Sequence, residues 1–289
     1  MPPISFCRRI AVADFCAGYA SRATANAPAQ PGSQPVRRQA GLAGSLRAGA
    51  LRRPVASTLG YKEETKMRNI VTTCLLAIAL CAVPPALAGE PSGSAYLDGG
   101  TSKIGVILCH GRGQHPTWKV VDPLRKGIHE KLGYHTLSLQ MPAEKKKLEA
   151  YAGDFPRAHK EIDAGIAFLR DERKVERIYL MGHSMGSRMA TSYLASNPKA
   201  PIVGFIGVGI RNGGGEPLDS NANLRHVALP VVDVYGDGGD GVDMKHAGAR
   251  SGMVSGRYKQ VLIPGASHTF DHHEREMVQA VIDWLSDRQ

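Results

Sequence analysis

"IYLMGHSMGSRMA", Ile178 to Ala190, runs as an apolar strand into a glycine-flanked serine and leaves as a helix-forming segment. Gly182-His183-Ser184-Met185-Gly186 is a G-x-S-x-G pentapeptide, and the strand–turn–helix setting gives it meaning. In a turn this sharp a Cβ at either glycine clashes with neighbouring elements. The serine hydroxyl is left exposed at the mouth of a sheet, near a helix N-terminus whose free N–H groups favour negative charge. The N–H of Met185 then faces a tetrahedral oxyanion. In a chain with 33 glycines such a pentapeptide arises easily by chance. Between a strand and a helix it points to a nucleophile rather than a structural tight turn.

Outward from this turn, short runs rich in Val, Ile and Leu alternate with longer amphipathic segments, the pattern of βα units around a mostly parallel sheet. The runs are 104–109, 134–141, 177–181, 202–210, 230–236 and 258–265. Ile162, Ile166 and Leu169 recur at helical spacing between the second and third runs, and Met277, Val281 and Trp284 do so near the C-terminus. The expectation is an α/β fold with a mostly parallel central sheet flanked by helices. It forms a single domain over residues 89–289 with little or no cap.

A serine hydroxyl attacks well only when a base takes its proton, so a histidine must follow in the chain. In "VLIPGASHTF", His268 stands three residues after Gly265, just beyond the last apolar run. His272 and His273 read as solvated residues at the start of the last helix, because no partner motif completes a metal site with them. The supporting acid belongs between the serine and the histidine, in "YGDGGDGVD", 235–243. One G-G-x-G-x-D match there is too little for a calcium-binding β-helix, which stacks several copies. Asp233 lies inside a strand. Asp240 is the expected acid if Gly238-Gly239 lengthens the loop by one residue, with Asp237 second and Asp243 third.

The turn after the first strand, "VILCHGRGQHP", supplies a second candidate oxyanion donor, the N–H of Arg112, with that of Gly113 as the alternative. Dinucleotide and phosphate readings fail here, because Pro116 stands where G-x-G-x-x-G needs its last glycine and no Gly-Lys-Ser/Thr follows. The Arg112 side chain, beside the serine, is placed to attract an acidic group on a substrate.

Together "HGRG", "GHSMG" and "GASH", in this order over residues 95–289, resemble the α/β-hydrolase superfamily. More narrowly, "HGRGQHPTWKVVDPLR" followed by "LSLQMP" resembles a bacterial exported family of unknown function within it. The superfamily resemblance implies an eight-stranded, mostly parallel sheet, with Ser184 as nucleophile and His268 as base. It leaves the substrate open, because one scaffold hosts esterases, thioesterases, peptidases and lactone hydrolases.

The N-terminal third is different material. Residues 1–66 hold ten Lys or Arg against three acidic residues, with no sustained apolar period, and are expected to be a disordered basic extension upstream of the true start or a transit peptide. "MRNIVTTCLLAIALCAVPPALAG" then has the charged start, 14-residue apolar run and A-x-A end of a signal peptide over 67–88. The run is too short to span a bilayer, and the expected location is periplasmic or secreted.

Most of the formal +10 belongs to this leader. Beyond Ala88, 25 basic residues face 23 acidic ones, leaving about +2 and no basic stripe of the kind that marks a nucleic-acid binder. Of five cysteines only Cys109 remains there, so an ordinary apolar core must hold the domain together.

The expected function is a carboxylesterase-like serine hydrolase acting on a small-molecule acyl substrate. It uses Ser184, His268 and an aspartate, with oxyanion donors at Met185 and Arg112 and no cofactor or metal. The alternatives are a catalytically silent binding module of the cell envelope and a metal-dependent hydrolase. The sequence leaves oligomeric state open.

Overall fold

The computed structural model describes residues 89–144, 147–253, 255 and 257–288. The extension expected over 1–66 and the signal peptide expected over 67–88 lie outside them. Seven strands form one sheet: β1 (Ala95–Leu97), β2 (Ile104–Cys109), β3 (His135–Leu139), β4 (Arg177–His183), β5 (Ile202–Val208), β6 (Val231–Gly236) and β7 (Tyr258–Ile263). Their order is β1-β3-β2-β4-β5-β6-β7. All neighbours run parallel except β1, which pairs antiparallel with β3 through Ala95↔Ser138 and Leu97↔Thr136. The eight strands implied by the resemblance are thus seven among the described residues. All six expected runs are strands: 104–109 is met in full, 177–181 extends to His183, the other four are trimmed at their ends, and β1 is an addition. Its three residues are too few to carry a periodic signal.

The central strands are apolar without a break because both faces are covered. Alternate residues serve opposite layers. Val106, Leu108, Tyr179, Met181, Ile206 and Val208 pack on one side, while Ile107, Cys109, Ile178, Leu180 and Phe205 pack on the other. Helices α1 (Val121–Leu132) and α6 (Glu274–Ser286) lie together on the first side, where Leu124, Ile128, Met277, Val281 and Trp284 are buried. Helices α2 (Phe155–Ala167) and α3 (Met185–Ser196) cover the second. The spacing of Ile162, Ile166 and Leu169 is met by α2 and the π-helical turn Phe168–Glu172 that continues it, and all three are buried. Two short helices, α4 (Ser220–Leu224) and α5 (Val242–Gly248), follow β5 and β6. No cap domain is inserted among the described residues.

One buried ion pair braces the sheet beneath its carboxyl ends. Asp233 of β6 and Arg250 are both fully buried, with Nε–Oδ2 and Nη2–Oδ1 each 3.0 Å. Tyr258 Oη and Gln260 Nε2 of β7 also donate to Asp233 Oδ2. Arg250 Nη1 reaches forward to Ile210 O and Asn212 Oδ1, so the segment after β5 is tied to β6 and β7. Both carboxylate oxygens and all three guanidinium nitrogens of the pair are hydrogen-bonded, which offsets the cost of burying two charges. The segments after β2, β4, β5, β6 and β7 all converge at that carboxyl edge, where open parallel sheets bind ligands.

Candidate active site

Ser184 joins β4 directly to α3 with φ +54° and ψ −113°, a left-handed conformation that a residue with a Cβ holds only under strain of roughly 1–3 kcal/mol. The surroundings impose it. A Cβ on Gly186 would stand 2.1 Å from Cys109 O, and one on Gly182 would stand 2.6 Å from Ser187 Cα. Both glycines let backbone pass where no side chain fits. The Ser187 hydroxyl donates to Ser184 O at 2.6 Å and pins the turn from inside the helix. Met185, buried, is the first residue of α3, whose opening N–H groups have no intrahelical acceptor.

His268 follows β7 as expected, and its Nδ1 lies 2.7 Å from Asp243 Oδ2. The structure thus brings Asp243 to the imidazole, and neither the expected Asp240 nor the alternative Asp237. Asp240 is exposed and accepts the Val242 N–H at 3.0 Å, an Asx turn that leads into α5. Asp237 accepts the Gly265 N–H at 2.6 Å and so fastens the β6 loop to the β7 loop. Asp243, in the first turn of α5, is buried and carried inward to the imidazole. A loop length counted from Gly236 misses it, because Gly239 and Gly241 take positive φ and wind the chain once more before α5 begins. The signal lay in Asp240-Gly241-Val242, a turn-then-helix sequence that makes Asp240 the turn residue and hands the buried position to Asp243.

Arg211, after β5, completes the constellation and escaped the sequence reading. Its Nε is 2.7 Å from Asp243 Oδ1 and its Nη2 is 3.7 Å from Asp240 Oδ1. The two oxygens of Asp243 thus face two different cationic or donor groups. Burial works to raise the Asp243 pKa, but the His268 hydrogen bond and the charges of His268 and Arg211 together hold it below the usual carboxylate range. Gly209 makes room for this pair, since a Cβ there would lie 3.0 Å from His268 Nδ1 and 3.3 Å from Asp243 Oδ2.

The loop after β2 closes over the serine from the other side. A Cβ on Gly111 would stand 3.4 Å from Ser184 Cβ. Gln114 N–H donates to Gly111 O, setting Arg112 and Gly113 at the centre of a turn, and the Arg112 N–H has no acceptor among the described residues. His110 holds the loop down: its Nε2 accepts the Met141 N–H at 3.1 Å, so its Nδ1 carries the proton and donates to Gly111 O at 2.9 Å. Burial lowers its pKa and keeps the ring neutral.

Gly111, Arg112, Ser184, Met185 and His268 share the lining of one open cavity of about 400 Å³, together with Trp118, Leu148, Arg188 and Arg211. His183 lies beneath, its ring centroid 4.9 Å from that of His268, and its Nε2–H donates to His268 O at 3.1 Å. Burial, reinforced by the neighbouring His268, pushes the His183 pKa down to about 3, so this ring is a neutral strut. His272 is exposed and gives its N–H to Glu274 Oε1 at the head of α6.

Solved structures with a similar fold include Est1E from Butyrivibrio proteoclasticus, at 20% identity and TM-score 0.53 over 68% of this chain and 98% of that one. An alpha-beta serine hydrolase homologue from Coxiella burnetii matches at 20% identity and TM-score 0.55, over 68% of this chain and 94% of the other. A Xanthomonas campestris protein described as an α/β serine hydrolase without lid matches at 18% and 0.50, over 66% and 93%. No protein-family model and no curated protein matches the chain. The chain has the α/β-hydrolase fold.

Proposed function

We propose that this protein is a serine hydrolase that cleaves a carboxylic ester or related acyl compound. The observation that carries the reading is the convergence of the strained Ser184 with the Asp243-bound imidazole of His268 on one cavity. Asp243 holds the Nδ1–H tautomer, which leaves Nε2 unprotonated as the base. Ser184 Oγ attacks the acyl carbon as its proton passes to His268 Nε2. The carbonyl oxygen becomes an oxyanion that accepts hydrogen bonds from the Met185 and Arg112 N–H groups. Collapse breaks the bond to the leaving group, which takes the proton from His268. Water then repeats the sequence on the acyl-serine, giving the acid and free enzyme.

Hydrolysis of a panel of 4-nitrophenyl esters by wild type and Ser184→Ala, both verified as folded, tests this. Turnover by the wild type, with loss of a thousand-fold or more in the variant, supports the reading, on the order expected for removing such a nucleophile. A folded wild type inactive on the whole panel argues against it. Among the described residues no helix is long and apolar enough to cross a membrane. The signal-peptide pattern of 67–88 supports export, and N-terminal sequencing of protein recovered outside the cytoplasm checks it, with Gly89 expected first.

A further inference from the structure

Among the described residues, the cavity before Ser184 is lined by three arginines and by no aspartate or glutamate. Their charges are not equally spent. Arg211 faces Asp243 at 2.7 Å, so its charge is offset. Arg188 is buried, and its three hydrogen bonds go to the neutral carbonyls of Asn212, Gly213 and Leu218, each at 2.6 Å. Carbonyl dipoles orient its guanidinium without cancelling it. Arg112 is exposed along the cavity and has no hydrogen bond or ion pair with a described residue. Neither Arg188 nor Arg112 makes an ion pair with a described residue, so both leave positive charge in a concave site, where the low-dielectric walls focus its field. Burial first, and then the charges of Arg211 and Arg112 against the opposing pull of Asp219, bring the Arg188 pKa down to about 10, so the three guanidinium groups feel one another. Trp118, Leu148 and Met185 supply the apolar part of the lining.

We propose that the preferred substrates are esters bearing an anionic carboxylate, which Arg112 engages at the mouth with Arg188 behind it, while the apolar wall holds the connecting carbons. This rests on the hydrolase reading and narrows it to a substrate class. A guanidinium fork matches a carboxylate in two parallel hydrogen bonds, which a neutral ester cannot make.

The test compares pairs of similar size that differ by one charge. 4-Nitrophenyl hydrogen glutarate against 4-nitrophenyl valerate places the anion on the acyl side. 4-Acetoxybenzoate against its methyl ester places it on the alcohol side. In at least one pair the wild type should favour the anionic member by about tenfold or more in kcat/KM, and 0.5 M NaCl should erode that ratio, because screening then acts within a few ångströms. Arg112→Gln should reduce the ratio several-fold and Arg112→Lys should keep part of it. Reading the ratio cancels any general loss caused by moving this loop. Equal rates in both pairs, or a ratio indifferent to salt and to Arg112→Gln, overturn the proposal. Parallel labelling with a fluorophosphonate separates the two levels. Labelled protein with no preference sinks the anion site alone, whereas unlabelled protein inactive on all four esters sinks the hydrolase reading with it.

Discussion

His268 Nδ1 lies 2.7 Å from Asp243 Oδ2, and no other aspartate of the loop after β6 makes a hydrogen bond to the imidazole. This contact singles out one carboxylate among three. Asp243→Asn should lower kcat/KM by roughly 10³–10⁴-fold with the fold retained, because an amide no longer holds the ring in the tautomer that leaves Nε2 free. Asp240→Asn and Asp237→Asn should stay within a few-fold of wild type. Ester hydrolysis by the three purified variants, with circular dichroism as the check on folding, ranks them.

The difference between Asp240 and Asp243 also marks where sequence reading stops. Long-period features were legible: six strands, the amphipathic faces of α2 and α6, the serine turn and the histidine after β7 all follow from patterns of four or more residues. The aspartate that meets His268 was not legible to the residue, because its identity depends on how many turns Gly238 to Gly241 wind before α5. Arg211 was invisible for a related reason. It is a lone charged residue in a glycine-rich loop, and only the packing of β5 beside β6 brings it to Asp243.

The serine turn makes a prediction about stability. Gly186→Ala would put a Cβ 2.1 Å from the Cys109 carbonyl, where backbone rather than a flexible side chain must yield. A loss of about 3 kcal/mol or more is expected in urea unfolding. Gly153→Ala, where a Cβ meets nothing within 4 Å, should cost less than about 0.5 kcal/mol.

The buried pair of Asp233 and Arg250 should respond differently to single and double replacement. Arg250→Met leaves Asp233 charged and buried without its partner, so a loss of roughly 3–5 kcal/mol is expected. Adding Asp233→Leu removes that stranded charge and should recover part of the loss. A double-mutant cycle by urea denaturation reads the coupling.

His183 gives the protein an acid liability. Its pKa is about 3 in the folded state and near 6.5 unfolded, so between these values the unfolded chain binds the extra proton and stability falls as pH falls. His110, His135, His159 and His246, all lowered chiefly by burial, add in the same direction. For His183 alone the loss between pH 6.5 and pH 5 should be on the order of 1–2 kcal/mol. His183→Asn, which keeps an N–H donor for His268 O, should flatten the pH dependence by about that amount in urea titrations at the two pH values.

The central claim is that Ser184 is an activated nucleophile, and covalent labelling reads it without knowledge of the substrate. Intact-mass and peptide analysis after exposure to a fluorophosphonate should find one adduct, on Ser184, with labelling slowed at least a hundred-fold in His268→Ala, since an unassisted serine hydroxyl reacts poorly. A folded wild-type protein that takes up no label, or that labels equally fast without His268, would contradict it.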